Sequence, residues 1–485
     1  MSAQDAVGGP ELPAENTIST PIVSKVKRLT LRNYLAYAAG DAANNLSFTM
    51  AGMFLILYYT NVIGVEGAVI GTMFLVVRFI DAFTDVAVGR IVDAKKPGRL
   101  GKFRPFILWF SFPLLFVSMA IYSADIFFPG ISGGWAVLYM YITYLLMGSV
   151  FYSLVNIPYG SMAPSLTQLP SERGKLATYR GYGASIAILA LAFIIAPQIN
   201  ANVKHPAGLQ QSLFFTTVGF IVVGMALYMF TVFGTREQVS RPTEKVSLRD
   251  SLHSLRVNKP LIWLSIGAVM FLTGLTAFST LGSYIAIYVQ RDPGYIAWNT
   301  LAQTIGLFIV GPFIPTIVRT IGKRTGYLIF CVIAIVGALV LGFGPLSTAP
   351  VWGLVAFFLM GLGVNGVNTL MWALEADCVE YGQWKTGKRT EGTTYAVFSF
   401  TRKMGQALGG FVGGLALTFA GFNAAVASAG QSQADGVAQN IQLWAGGLVA
   451  VFVLVSALIM IRYPLTEKTF LTITEEIAVR DLGDE

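Results

Sequence analysis

Charge is what this sequence has least of: of 485 residues, 12% are Asp, Glu, Lys or Arg, about half the share of a soluble domain. Histidine occurs twice, at His205 and His253, both in loop-like stretches, so a histidine-built metal site is excluded. The two cysteines, Cys331 and Cys378, frame neither a disulfide scaffold nor a metal cluster. No Ser/His or Cys/His set suggests a nucleophile, which argues against an intramembrane enzyme. The first 30 residues lack the apolar core of a signal peptide. They read as a polar, disordered cytoplasmic tail, and the first apolar segment serves as its own signal.

What fills the chain instead is apolar. Hydrophobic residues make up 54%, aromatics 13% with 34 Phe, and glycine reaches 51. Gly is more frequent in membrane helices, where bare backbones pack closely. Runs of about 20 apolar residues, the length that spans a bilayer, fall near 34–60, 68–92, 105–124, 136–159, 178–200, 212–234, 261–288, 297–318, 326–344, 351–375, 393–419 and 441–463. Twelve spans are expected. With the N-terminus inside, loops 93–104, 164–177, 235–260, 319–325 and 376–392 are cytoplasmic and hold 19 Lys or Arg, against Lys204 and Arg291 in the opposite loops. That asymmetry places both termini in the cytoplasm. It also accounts for the net charge of +8 without a nucleic-acid partner.

The longest charged connection, 235–260, divides the chain into a tail over 1–32, a six-helix half over 33–234, a second half over 261–464 and a cytoplasmic tail over 465–485. "GRIVDAKKPGRLGKFRP" at 89–105 and "GPFIPTIVRTIGKR" at 311–324 occupy equivalent places in the two halves. Repeated six-helix halves describe the major facilitator architecture, with its substrate site at mid-membrane between them.

Ionisable groups within spans cost about 2.5–3.5 kcal/mol each and are functional candidates by default. Helix two carries Arg78, Asp81 and Asp85 in "VVRFIDAFTDVAVG". The two acids are four apart and share a face, where like charges and burial favour holding a proton or a metal cation. Arg78 offers a local ion pair as the plainer reading. Asp41 and Asn44 in helix one present a carboxylate and an amide suited to sugar hydroxyls, while Asn44 and Asn45 also suit helix packing. Arg180 and Lys403 come from different halves, as a central cavity requires. Arg402 fits snorkelling to a helix end better than Lys403 does. "GLGVNG" at 361–366 matches a dinucleotide fingerprint but lies inside an apolar span without a preceding strand. "GGFVGG" at 409–414 reads as helix packing.

Over residues 30–470 the sequence resembles the glycoside–pentoside–hexuronide:cation symporters, the melibiose carrier group of the major facilitators. "RFIDAFTD", "GKFRPF", "NIPYGSMAP" and "MWALEADCVEYGQWKTGKRTEGTTYAVFSFTRKMGQALGG" carry the likeness. The resemblance implies a cation site at Asp81 and Asp85, helped by Thr84 and Ser153. It implies sugar contacts at Asp41, Arg180 and Lys403, and Asn44, Asn45, Asn156, Tyr159 and Trp372 complete the candidate substrate-binding set. It implies cytoplasmic charge pairs at Asp377, Glu380, Lys385 and Glu391. Two departures argue against a galactoside: Asn156 replaces a sugar-binding acid, and Asn368 replaces a Trp, for which Trp372 one turn later can substitute. Within the family the nearer likeness is to glucuronide-carrier and isoprimeverose-type members.

The function expected is therefore cation-coupled import of a glycoside across the bacterial inner membrane, with protons favoured over Na⁺ and a β-glucuronide the best single substrate. A neutral xyloside or glucoside, a lysolipid, or a sugar-sensing role without transport are the alternatives. Substrate, coupling cation and membrane lipids are the expected partners, and no cofactor is expected.

Overall fold

The computed structural model describes residues 28–167, 170–202, 205–237, 257–387 and 391–483. No β-strand occurs among them beyond an isolated bridge between Gly98 and Gly101. The long helices are α1 Leu31–Ile63, α2 Gly67–Val92, α3 Arg104–Ile121, α4 Gly133–Ala163, α5 Glu172–Asn202, α6 Pro206–Gly234, α7 Lys259–Val289, α8 Tyr295–Ile321, α9 Lys323–Phe343, α10 Val351–Thr386, α11 Glu391–Phe419 and α12 Val437–Ile461. A lipid core offers backbone groups no water, so segments this apolar must satisfy their hydrogen bonds internally as helices.

Eleven of these helices are long and apolar enough to cross a membrane. The exception is α11, which at 29 residues is long enough but carries Arg402 and Lys403 together with polar and small residues. The count of twelve therefore rests, at α11, on length and packing rather than on hydropathy.

Two boundaries differ from the sequence reading, and a third expectation falls outside the described residues. First, α10 does not stop near 375 but runs 36 residues to Thr386, about 54 Å at 1.5 Å per residue and longer than the hydrocarbon core. Nothing in "EADCVEYGQWKT" breaks a helix, and Gly387, at φ 71°, supplies the left-handed stop. Asp377, Glu380 and Lys385 thus project from a helix rather than a loop. Second, the C-terminal tail contains α13, Glu467–Gly483, docked against the ends of α9 and α10. Third, much of the expected N-terminal tail and central loop, residues 1–27 and 238–256, lies outside the described residues.

The helices pack as two groups, α1–α6 and α7–α12. The face at which α1 begins is called proximal here, and the face at which it ends distal. At the proximal face polar ties join helices of one group. Asn33 donates to the Gly234 carbonyl at 2.8 Å, closing the start of α1 onto the end of α6. Glu237 accepts from the backbone N–H groups of Lys102 and Phe103 at 2.7 and 2.9 Å. In the second group Asn258 caps α7 and donates to the Cys378 carbonyl at 2.7 Å, while Lys323 binds Asp377 at 2.8 Å and Glu467 at 3.5 Å.

At the distal face the ties cross between groups. Thr60 and Tyr284 share a hydrogen bond of 2.6 Å, Asn61 donates to the Tyr288 hydroxyl at 2.6 Å, and Ser283 donates to the Met53 carbonyl at 3.0 Å. Beside them α2 and α11 meet backbone to backbone. A Cβ on Gly414 would lie 2.8 Å from the Gly71 Cα, and one on Gly71 would lie 2.8 Å from the Phe411 carbonyl oxygen. Only glycine permits that approach. The bundle is closed distally.

Candidate functional site

Helix α2 presents Asp81 and Asp85 one turn apart toward α4 and α11. Ser153 on α4 donates into both carboxylates, at 3.2 Å to Asp81 and 2.5 Å to Asp85. Lys403 on α11 reaches Asp81 Oδ2 at 3.0 Å and is bonded to Asp85 as well. Arg78, one turn before Asp81, lies 3.5 Å from its Oδ2 and 4.7 Å from the Phe48 ring centroid. Two acids thus face two bases, in a cluster that joins the two helix groups at mid-depth. Asp81 is buried at 1% exposure, whereas the Asp85 side chain keeps 27%. Asp85 is therefore the more accessible acid of the pair.

Two placements differ from expectation. Lys403 does not stand beside Arg180 in a shared sugar cavity; its ammonium lies against the α2 acids, because an isolated charge at this depth is stabilised by the nearest opposite charge. Thr84 does not join the acids either. Its hydroxyl donates back to the Ile80 carbonyl at 3.2 Å, the usual local bond of a helical threonine.

A second pair lies on α1 and α5. Arg180 Nε donates to Asp41 Oδ1 at 2.8 Å, with 42% of the arginine side chain exposed, and its guanidinium lies 5.3 Å from the Tyr159 ring centroid. Asn45 donates to the Asp41 carbonyl at 2.8 Å and to its carboxylate at 3.4 Å. Tyr159 itself is fully buried. It stacks on Tyr37 with ring centroids 4.7 Å apart and donates to the Tyr37 carbonyl at 2.6 Å, so its ring face rather than its hydroxyl is presented to Arg180.

Asn44 is buried and works between helices, accepting from the Tyr228 hydroxyl at 2.7 Å and approaching Asn156 at 3.5 Å. Of the two roles its position suggested, packing is the one its contacts fill. Tyr228→Phe leaves the Asn44 oxygen without its short bond, a loss of about 1 kcal/mol or somewhat more. A lower thermal midpoint for the purified protein, with sugar affinity unchanged, is the expected outcome of a melting series.

Trp372 on α10 stacks on Tyr395 at 5.8 Å and meets Phe398 edge-on at 5.3 Å. Arg402 lies over it, 4.9 Å from the indole centroid, and donates to Asn368 at 3.0 Å. Arg402 does not snorkel to a helix end: it reaches sideways from α11 to α10. Of the four residues expected to form cytoplasmic charge pairs, Asp377 binds Lys323, within the second helix group. Lys385 lies 3.7 Å from the Trp384 ring centroid, Glu380 projects from the same end of α10, and the Glu391 side chain lies outside the described residues.

A cavity of about 410 Å³ occupies the space between the α2 cluster and the closed distal face. Thr276, Thr280 and Ser283 of α7, Asn299 and Gln303 of α8, and Gln406 of α11 give it a polar wall. Asn299 donates to Gln290 at 2.8 Å, and its own oxygen has no partner among the described residues. Sequence reasoning missed this wall because hydroxyls and amides stand out little beside charges. The signal was the spacing of Thr273, Thr276, Thr280 and Ser283, a polar stripe at helical period along α7.

Residues 36–467 match the family described as MFS/sugar transport protein. The chain belongs to that family. Its MFS relatives include a glucuronide carrier protein homolog of Escherichia coli K12, 39% identical over 93% of this chain and 96% of that protein. A putative sulfoquinovose importer of Salmonella typhimurium is 32% identical over 93% and 94%. The isoprimeverose transporter of Lactiplantibacillus pentosus is 32% identical over 82% of both. A crystal structure of the nucleoside transporter NupG superposes with a TM-score of 0.60 at 13% identity, covering 90% of this chain and 100% of that one; at that distance the likeness shows the MFS fold alone. The protein is a multi-pass membrane sugar transporter, not an enzyme.

Proposed function

We propose that this MFS carrier is a cation-coupled symporter bringing a glycoside, best a β-glucuronide, into the bacterial cell by alternating access. The observation that supports coupling is the reach of Lys403 from one helix group to the acid pair of the other. A cation that takes those carboxylate oxygens displaces the ammonium and loosens a tie between the halves. Asp81, Asp85 and Ser153 form the coupling site; Asp41, Arg180 and the hydroxyl and amide wall of the cavity take sugar hydroxyls. The basic loops favour cytoplasmic termini in the inner membrane, which makes the distal face periplasmic and this conformation inward-open.

A carboxylate-bearing sugar is favoured by relatives whose names specify a glucuronide and sulfoquinovose, both anionic compounds. The isoprimeverose transporter supports a neutral glycoside as the second reading. Protons are favoured over Na⁺ because a hard cation wants six or so oxygen ligands, whereas protonation needs only the carboxylates. Adding substrate to unbuffered proteoliposomes is expected to alkalinise the outer medium with no requirement for sodium. Sodium-stimulated uptake at clamped pH, without a pH change, reverses the choice of cation.

A further inference from the structure

Four basic side chains lie well inside the bundle: Arg78, Arg180, Arg402 and Lys403. Three of them have carboxylate partners, Asp81 for Arg78, Asp41 for Arg180, and Asp81 with Asp85 for Lys403. Arg402 alone of the four has none among the described residues. It donates once, to Asn368 at 3.0 Å, and rests on Trp372. A guanidinium has five N–H donors in a planar fork, so most of its bonding capacity is unused. An uncompensated cation at this depth is costly, and a structure that retains one has a place for an anion.

The position on α11 says where that anion comes from. Arg402 is four residues from Gln406 and eight from Gly410, one continuous helix face, and both of those line the 410 Å³ cavity. On α10, Asn368 lies eleven residues, about three turns, beyond Phe357, another lining residue. Arg402 therefore lies one turn proximal to Gln406, just beyond the residues that line the cavity, while Lys403 turns about 100° away toward the acids.

We infer that Arg402, held by Asn368 and backed by Trp372, receives the anionic group of the substrate, a carboxylate or sulfonate borne by the sugar. This rests on the proposed glycoside cargo and deepens it: the anion's partner is Arg402, and Arg180, already neutralised by Asp41, serves the hydroxyls. The fork takes two oxygens of either group through parallel charge-assisted bonds, and Trp372 holds the guanidinium plane against rotation.

The test is counterflow in proteoliposomes with methyl β-glucuronide, sulfoquinovose and methyl β-glucoside as the three probes. In Arg402→Gln the glucuronide and sulfoquinovose half-saturation values rise about tenfold or more, and that for the glucoside moves little. Arg402→Lys keeps the charge without the fork and loses less. Arg180→Gln weakens all three probes together. A retained glucoside signal shows the variant is folded, and where Arg402→Gln misfolds, Arg402→Lys decides by the same comparison. If the wild type takes either anionic sugar and the Arg402 variants match it, the inference is overturned and the glycoside reading stands. Equal loss of all three probes in a protein that melts like the wild type also overturns it. A wild-type carrier that takes only the glucoside removes the anionic substrate and this role of Arg402 together. Response to one anionic probe alone assigns the site to carboxylate or to sulfonate.

Discussion

In Asp85→Asn, substrate no longer accumulates against its gradient, while exchange of labelled for unlabelled substrate continues. Both parts follow from the same geometry. Asp85 is the more exposed member of the acid pair and is held by Ser153 and Lys403, so its amide removes the negative charge that draws in a coupling cation. The sugar contacts proposed at Asp41, Arg180 and the cavity wall are untouched. A glucuronide anion entering with one proton moves no net charge, so the pH gradient drives accumulation, each unit contributing about 1.4 kcal/mol or roughly tenfold. The accumulation ratio should fall from that order to unity in energised vesicles. Asp81→Asn does the same and also unpairs Arg78, so its expression and melting point fall as well. Wild-type accumulation in both variants would remove the acid pair from the coupling mechanism.

Gly414→Val is expected to stop accumulation and exchange alike. The new Cβ would stand 2.8 Å from the Gly71 Cα and 2.9 Å from its N, and no flexible side chain lies between that can give way. The distal face then cannot close, whichever substrate or cation is bound. In a variant carrying Thr60→Cys, the new thiol, buried against Tyr284 in the closed form, becomes reactive to a membrane-impermeant maleimide when Gly414→Val is added. The two native cysteines are buried. Gly414→Ala gives the same shift to a smaller degree. Transport at the wild-type rate in Gly414→Val, with Thr60→Cys still protected, shows that this close crossing is dispensable.

These two cases differ in how readable they were. The acids of α2 announced themselves in the sequence, since a carboxylate pair at i,i+4 inside an apolar run has a short list of physical explanations. The glycines of "GGFVGG" also read as a packing surface, although nothing local said that the partner was α2 of the other half. Lys403 was recognised as out of place, but its partner was not. A long flexible side chain reaches several neighbours, and only the crossing of α11 against α2 and α4 decides among them. Arg402 fitted snorkelling to a helix end better than Lys403 did, since its partner could not be seen in the sequence. Its reach to Asn368 depends on the spacing of α10 and α11. The length of α10 was misjudged for another reason: hydropathy marks where lipid ends, whereas a helix ends where its backbone is capped, at Gly387. The cavity wall was missed because the α7 hydroxyls carry no charge, Thr273 and Thr280 closing local bonds and Ser283 reaching Met53 across the bundle, and single-sequence reasoning weighs charge far above hydroxyls.

The docking of α13 makes the C-terminus an optical handle on the transport cycle. Glu467 is anchored to Lys323, Phe470 lies 4.6 Å from that ammonium, and Glu476 accepts from the Trp384 indole at 2.6 Å, so the segment belongs to α9 and α10 and travels with them. The 101–104 turn is anchored in the same manner to Glu237 at the end of α6. A donor dye on α13 and an acceptor in the 95–102 loop therefore ride on opposite halves. Their energy transfer reads the separation of those halves directly, turnover by turnover, without a label in either the coupling cluster or the sugar cavity.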